Sequence, residues 1–374
     1  MKLNNFGWNE KWESQFEKAK KAYQNPKQLK PMEAARVTAV FADRYRIQTK
    51  GGEKEAQVSG KMIFENLYAA KNPTVGDWVV VDYNENGPSV IKEVLPRLSC
   101  LQRQEADGID AQVIGANVDL CILVQSVIGD FSIARLDRYI AMVWDAGSVP
   151  MVILSKTDLA TEEDVREKVN SLEAAFPGVD ILAVSAITQI GIASLWSYLE
   201  PSKTYMVLGS SGVGKSTLLN LLMGEEMMKT AEVREEDQKG RHTTTHRQMF
   251  TLKNGALYID TPGMREVGLF NYQGVDKAFK DVETLAKHCK FADCKHQQEP
   301  GCAVAEAMEA GSLTEDRWES YLKLKAEEKI HRRKQILLQK KVAKKKIKRQ
   351  KNHYKDYKRG GGKEEKELNQ WCCR

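Results

Sequence analysis

One octet constrains the fold of this chain more than any other feature. Gly209-Ser210-Ser211-Gly212-Val213-Gly214-Lys215-Ser216 fits the phosphate-loop pattern G-x-x-x-x-G-K-[ST] without a mismatch. Such a loop needs a buried strand before it and a helix after it, because its backbone N–H groups wrap phosphates where a strand feeds a helix N-terminus. Both are present. The apolar run Tyr205-Met206-Val207-Leu208 precedes it, and Leu218, Leu219, Leu221 and Leu222 follow at helical spacing. Lys215 would neutralise the outer phosphates and Ser216 would ligate magnesium. Thr217 completes the expected phosphate-binding set from Gly209 onward.

The signals around this loop point to guanine, but their order is unusual. Asp260-Thr261-Pro262-Gly263 follows the strand Ala256-Leu257-Tyr258-Ile259. Asp260 would hold magnesium through water, and Gly263 would offer its N–H to the terminal phosphate. Many GTPases place a glutamine after that glycine to orient water; here Met264 cannot hydrogen-bond. The interval between holds Arg241-His242-Thr243-Thr244-Thr245-His246, where a threonine would ligate magnesium. His242 is the candidate for orienting water, since imidazole can align it or accept its proton; the alternative is a polar loop residue. The base reader is Ser155-Lys156-Thr157-Asp158, after the strand Pro150–Leu154 and about fifty residues before the phosphate loop. The Asp158 carboxylate can accept two hydrogen bonds from guanine. Facing adenine it would stay unpaired, at a cost of about 1–3 kcal/mol. Lys156 would lie along the base, and Ser185-Ala186, after the strand Asp180–Val184, would add the accessory contact. Taken singly, Ser155–Asp158 could be a simple turn. The order base reader, phosphate loop, first switch, second switch is that of a circular permutation.

The 374 residues suffice for two or three domains. Residues 1–33 are a polar extension in which Trp12, Phe16, Ala19 and Tyr23 predict one short amphipathic helix packed on its own protein. Residues 34–98 read as short strands punctuated by Gly51-Gly52 and Asn86-Gly87, suggesting a small barrel such as an OB-fold. Barrels of that kind often bind RNA, although a purely structural barrel has the same pattern. Residues 99–270 alternate buried strands, among them Leu120–Val124, with helices at Ile133–Trp144 and Glu162–Ala175, as in a doubly wound parallel sheet. Residues 271–328 read as helical and rich in Cys and His, and residues 329–374 form a tail.

That tail changes the meaning of the net charge of +6. Of 57 Lys+Arg, 15 fall between Lys329 and Arg359, against one acid, Asp356; the remainder carries 42 basic and 50 acidic residues, a net of −8. Like charges so crowded repel unless an anion relieves them, so nucleic acid is the expected partner rather than solvent alone. The stretch from Val118 to Ile128 is too short and interrupted to span a bilayer, and Met1–Gln15 lacks an apolar signal core. A cytoplasmic protein with no membrane partner is expected, and the seven cysteines argue against a disulfide framework.

Cys289, Cys294, His296 and Cys302 form C-x4-C-x-H-x5-C. Three thiolates and one imidazole match a closed tetrahedral zinc site, with no open position for catalysis, so one structural zinc is expected. His288 is the alternate imidazole. Cys100 and Cys121 are expected in the core, and Cys372 and Cys373 show no ligand partners.

These motifs together resemble one family, the circularly permuted, ribosome small-subunit-dependent GTPases called RsgA. The similarity spans about residues 34–310 and rests on Val75-Gly76-Asp77-Trp78-Val79, Gly209–Ser216, Gly240-Arg241-His242-Thr243-Thr244-Thr245, Asp260–Gly263 and Glu299-Pro300-Gly301-Cys302-Ala303-Val304. The resemblance implies a multidomain α/β protein: an N-terminal OB-fold β-barrel, a circularly permuted P-loop GTPase domain and a helical, zinc-binding C-terminal domain. It implies a monomer that binds GTP and GDP with magnesium, engages the small ribosomal subunit and its rRNA late in maturation, and hydrolyses GTP when stimulated by that subunit. The family's catalytic histidine falls on His242. Two other readings stand beside it: an rRNA-binding module whose guanine nucleotide is largely structural, and a large-subunit assembly GTPase. Three features depart from the family pattern: Ser155 where asparagine is common, the N-terminal extension, and the length of the basic tail.

Overall fold

Alternation of small and branched apolar residues curls the first five strands into a closed barrel. In this computed structural model, which describes residues 3–23, 32–42, 44–60, 62, 72–104, 111–129, 131–224, 247–260, 272–297, 299–334 and 336–337, β1 is Met32–Val40, β2 Tyr45–Thr49, β3 Gly52–Val58, β4 Trp78–Asp82 and β5 Ser89–Val94. The order is β1-β2-β3-β5-β4, and β4 returns to β1 through five register pairs from Met32↔Asp82 to Arg36↔Trp78. Ala35, Val37, Ile47, Ala56, Val79, Val81 and Ile91 fill it, the inward set of a two-residue period. This is a five-stranded barrel of the OB type.

A second sheet carries the phosphate loop. Strands β8 (Leu120–Ser126), β9 (Val149–Ser155), β10 (Asp180–Ala183), β11 (Thr204–Leu208) and β13 (Leu257–Asp260) run parallel in the order β10-β9-β8-β11-β13. Their middle residues are apolar because helices cover both faces. On one face α2 (Ile133–Asp145) buries Leu136, Tyr139, Ile140 and Val143. On the other, α4 (Ile192–Tyr198) and α5 (Lys215–Met223) bury Ile192, Leu195, Leu218, Leu219 and Leu222. Helix α3 (Glu162–Ala175) starts at a capping box made by Thr161 and Asp164. Strand β12 (Arg247–Thr251) closes the edge, antiparallel to β13, and its other side pairs with β1 at Ala39↔Gln248 and Val40↔Arg247. Barrel and parallel sheet are therefore one continuous eleven-stranded sheet.

The stretch from residue 99 does not open in the parallel sheet, as its alternation predicts. Strands β6 (Cys100–Gln104) and β7 (Ala111–Ala116) form a separate antiparallel hairpin. The Val75–Val79 motif seats this hairpin on the barrel. Gly76 sits at φ +93°, and a Cβ there would lie 2.0 Å from the carbonyl oxygen of Ala116, so only glycine fits. Asp77, fully buried, takes a bidentate pair from Arg97 (Nε–Oδ1 and Nη2–Oδ2, both 2.8 Å) and the N–H of Thr74 at 2.8 Å.

The N-terminal extension packs on its own protein. Helix α1 (Glu10–Lys21), capped by Asn9, buries Trp12 and Phe16. Trp8 and Trp12 meet Trp78 of the barrel at ring centroids 4.7 and 6.0 Å apart. Beyond the sheet, α6 (Gln273–Ala278), α7 (Lys280–Ala286), α8 (Ala303–Glu309) and a helix over 315–324 bury Val275, Phe279, Val282, Val304, Trp318 and Leu324 in the core that α2 shares. Arg317 fastens them: it donates to Asp281 at 3.0 Å, to the carbonyl of Ala278 at 2.7 Å and to the buried Asp137 of α2. Burial pushes the Asp137 carboxyl up to about 6, with Arg317 pulling the other way. Residues Met1–Leu324 form one unit and Lys325–Arg374 a second, of which 325–334 and 336–337 are helical. No helix among the described residues is long and apolar enough to cross a membrane.

Arg36 joins the parts at their centre. Its guanidinium, 2% exposed, donates to the carbonyls of Phe6, Gly76 (3.3 Å) and Asn117 (3.3 Å) and to Thr204 Oγ1 (2.8 Å), and lies 5.3 Å from the Trp78 ring centre. Burial lowers its pKa from 12.5 to about 10. Arg36→Met would keep the bulk and strand four acceptors. At about 1–3 kcal/mol for a buried unsatisfied group, urea unfolding should show a loss on the order of 3–5 kcal/mol. A loss under about 1 kcal/mol would mean that these acceptors find other donors.

Candidate functional site

All parallel strands end at one edge, and each delivers one piece of the site there. Strand β11 runs into the phosphate loop. Gly209 (φ +150°) lies against β8, where a Cβ would come 2.4 Å from the carbonyl oxygen of Val124. Gly212 and Gly214 also take positive φ, and Gly214 caps α5, so the loop leads directly into the helix N-terminus. The ammonium of Lys215 lies back across the loop, 2.8 Å from the carbonyl of Gly209 and 2.5 Å from that of Ser210. Ser216 and Thr217 occupy the first turn of α5, and Asp260 ends β13, the strand paired directly with β11.

Strand β9 delivers Ser155-Lys156-Thr157-Asp158. Ser155 is buried, and its hydroxyl stands 2.7 Å from the carbonyl of Val213 in the phosphate loop and 2.9 Å from that of Gln125 at the end of β8. It faces the backbone of the loop rather than solvent. Lys156 adopts left-handed φ of 60°, which lays its stem beside Gly214. A short 3-10 turn, Thr157–Leu159, then presents Asp158 at the surface. From β10, the fully buried Ser185 donates its hydroxyl to Asp158 Oδ1 at 2.5 Å and accepts the N–H of Thr188 at 3.0 Å, while Ala186 continues the same turn. The carboxylate is thus fixed by a neighbouring loop. His242 and the run Arg241–His246, together with Thr261, Pro262, Gly263 and Met264, lie outside the described residues.

Sequence reading missed two residues here. Gln125 clamps the start of α2, donating to the carbonyl of Ser132 at 2.9 Å and accepting its N–H at 3.1 Å. Arg135, in the first turn of α2, donates to Ser210 Oγ at 2.8 Å. Neither belongs to a local motif; only the fold brings them to the loop.

The second cluster is built on the loop before α8. The ligand atoms of Cys289, Cys294, His296 and Cys302 all lie within 4.8 Å of one another. His296 Nδ1 is 3.5 Å from both Cys289 Sγ and Cys302 Sγ, and these sulfurs are 4.0 Å apart. Tetrahedral zinc, with bonds of about 2.3 Å to sulfur and about 2.05 Å to nitrogen, sets edges of roughly 3.6–3.8 Å, so the donor set fits that ion. His296 reaches the cluster in the left-handed region, φ 59°, and its ring meets Trp318 edge-on at 5.4 Å. Cys302 caps α8, its sulfur accepting from the N–H of Ala305 at 3.5 Å. Glu299 pins the loop by accepting from Lys295 N (3.0 Å) and Gln297 N (2.6 Å), and backbone hydrogen bonds lower its pKa. His288 turns away to the carbonyl of Thr284 at 2.8 Å. Cys121 is core, whereas Cys100 is half-buried beside Arg97.

A circularly permuted P-loop fold, with the segment Ser155–Asp158 ahead of the phosphate-loop motif, defines the class, and comparison with known proteins defines the family. The family model described as RsgA GTPase matches residues 94–270, and one described as 50S ribosome-binding GTPase matches residues 204–359. The small ribosomal subunit biogenesis GTPase RsgA 1 of Listeria monocytogenes is 45% identical over 80% of this chain and 84% of its own length. RsgA of Methanosarcina acetivorans is 39% identical over 96% of this chain and 94% of its own. The crystal structure of YjeQ from Thermotoga maritima superposes with a TM-score of 0.61 at 30% identity, covering 80% of this chain and 99% of that one. That of YloQ, described as a circularly permuted GTPase, gives 0.57 at 24% identity, covering 82% and 98%, a likeness of fold. The chain belongs to the RsgA GTPase family, and it is a GTP hydrolase. Only 4% of it lies outside the Methanosarcina alignment, less than either the N-terminal extension or the basic tail occupies, so that alignment reaches into both.

Ser155→Ala should remove the tie between β9 and the phosphate loop. The expected result is a loss of GTP and GDP affinity in equal measure, about five- to ten-fold, with preference for guanine over adenine unchanged. Competition binding with GTP, GDP and ATP measures this; a collapse of base preference would instead place Ser155 on the base.

Proposed function

We propose that this chain binds the small ribosomal subunit, assists its late maturation, and hydrolyses GTP to GDP and phosphate on that subunit. The observation that carries the reading is its 45% identity, over 80% of the chain, to a relative named for small ribosomal subunit biogenesis. Asp158 would accept hydrogen bonds from guanine, held in place by Ser185, with Lys156 and Ala186 lining the base. The N–H groups of Gly209–Thr217 would cradle the phosphates, Lys215 would neutralise them, and Gly263 would donate to the terminal one. Ser216 and Asp260 would hold magnesium, which shields the phosphate charge. Water attacks the terminal phosphorus as the bond to the bridging oxygen breaks, and His242 would orient that water, because Met264 cannot. The deciding experiment is GTP turnover by the full chain with and without purified small subunits. Stimulation of ten-fold or more is expected, and His242→Ala should abolish most of it while leaving nucleotide affinity nearly unchanged. Turnover indifferent to subunits would favour a structural nucleotide.

Cys289, Cys294, His296 and Cys302 would hold one zinc whose role is structural, since four protein ligands close the coordination shell. Elemental analysis should return one equivalent per chain. Cys294→Ala should release it and melt the C-terminal helices before the nucleotide domain, because metal binding there is folding free energy. Metal-free wild-type protein with an unchanged melt would refute this.

The domains we propose are the extension 1–33, the OB-fold barrel 34–98, the permuted GTPase domain 99–270, the zinc-binding domain 271–328 and the tail 329–374. The tail would contact rRNA phosphates. Truncation before Lys329 should leave GTP binding intact, weaken subunit binding and flatten its salt dependence. Equal binding at low and physiological salt by the truncated chain would make the tail a solvated appendage.

A further inference from the structure

Two cations converge on one residue of the phosphate loop. Lys215 holds the carbonyl of Ser210 at 2.5 Å, and Arg135 holds its hydroxyl at 2.8 Å. Lys215 belongs to the loop's own motif, but Arg135 comes from α2, and its placement is built. Ser132, the N-cap of α2, accepts the N–H of Arg135 at 3.3 Å and is itself held on both backbone groups by the buried Gln125. Two residues on, Asp137 anchors the same helix to Arg317. No acid occupies the first turn of α2. Two like charges on one residue, in a loop that leads into a helix N-terminus, suit a site that receives a polyanion.

We infer that Arg135 is a positioning residue for the terminal phosphate: through Ser210 it fixes the opening of the phosphate loop, and so sets the preference for nucleoside triphosphate over diphosphate. The inference rests on the nucleotide site proposed above. Its reasoning is electrostatic. A guanidinium fixed at that end of the loop gains most when the nucleotide carries a third phosphate, adding a second positive charge to that of Lys215.

The test uses the full chain and fluorescent GDP beside a fluorescent, non-hydrolysable GTP analogue. Arg135→Ala should lower affinity for the triphosphate about ten-fold and for GDP less than about two-fold, with an unchanged melting temperature. Arg135→Lys should recover part of the loss, because it keeps the charge. Ser210→Ala combined with Arg135→Ala should be no weaker than Arg135→Ala alone, since the two act as one contact. Equal losses for both nucleotides, or none for the triphosphate, would overturn the inference, as would full additivity in the double variant. If the wild type binds neither nucleotide, the nucleotide site itself is wrong; if it binds both and the variant does not discriminate, only this inference fails.

Discussion

A single buried guanidinium sets how the barrel meets the nucleotide sheet. Arg36 binds acceptors on the N-terminal segment, the loop before β4, the exit of the hairpin and the first residue of β11. Among the described residues, its hydrogen-bond acceptors are all uncharged. Asp119 and Asp77 act on it only through space, and burial outweighs both. A charge taken from water must satisfy every donor or lose several kcal/mol, so the four segments cannot shift independently. The extension takes part because the carbonyl of Phe6 is one of the acceptors, and its tryptophans complete the wall around Trp78. What reads in sequence as an appendage is a component of the domain junction.

A similar device holds the other side. Arg317 sits within 4.0 Å of the Phe279 ring centre and gathers Asp137, Asp281 and the carbonyl of Ala278. Its neighbour Trp318 meets His296 of the Cys/His cluster and stacks on Tyr321, whose hydroxyl donates to Glu283 at 2.8 Å. Removing one partner of such a buried pair costs about 3–5 kcal/mol, although the pair itself contributes less than that to net stability. Its value lies in orientation: α2 is fixed to the C-terminal helices by Asp137 and to the phosphate loop by Arg135.

The legible parts of this protein are those whose chemistry fixes short spacings. A phosphate loop needs its glycines and lysine within eight residues, and four metal ligands need only fourteen, so both stand out in the chain. Helix α3 was legible end to end because its capping box is local. The hairpin β6–β7 was not: its strands mimic the start of an alternating α/β stretch, and only pairing separates them. Nor were the connecting arginines. Arg36 and Thr204 are 168 residues apart, Arg317 and Asp137 180, and no local pattern marks either pair. Ser155 falls between these cases. Its place at the end of β9 is visible, but its bond to Val213 spans 58 residues, and that bond turns an apparent departure from the family pattern into a tie that a hydroxyl makes directly.

Permutation gives the continuous sheet its consequence. Gln248 of β12 lies opposite Asp260 on one side and Ala39 of the barrel on the other. One row of register therefore runs from the acid at the end of β13, across the strand that follows the first switch interval, to the barrel. Hydrogen-bonded ladders resist shear, because a slip of one residue turns each side chain to the wrong face. Asp260 and the barrel strand are then positioned by the same ladder, while Arg36 fixes the angle at which that ladder leaves the sheet. Beyond the second switch interval the chain enters the helices that carry the Cys/His cluster, which Arg317 binds back to α2. Each appendage thus reaches the nucleotide edge through a short, stiff connection: the barrel through β12 to Asp260, and the C-terminal helices through α2 to Ser210. A surface that seized both appendages at once would act on both ends of the phosphate site together, which is the mechanical condition for hydrolysis to depend on docking.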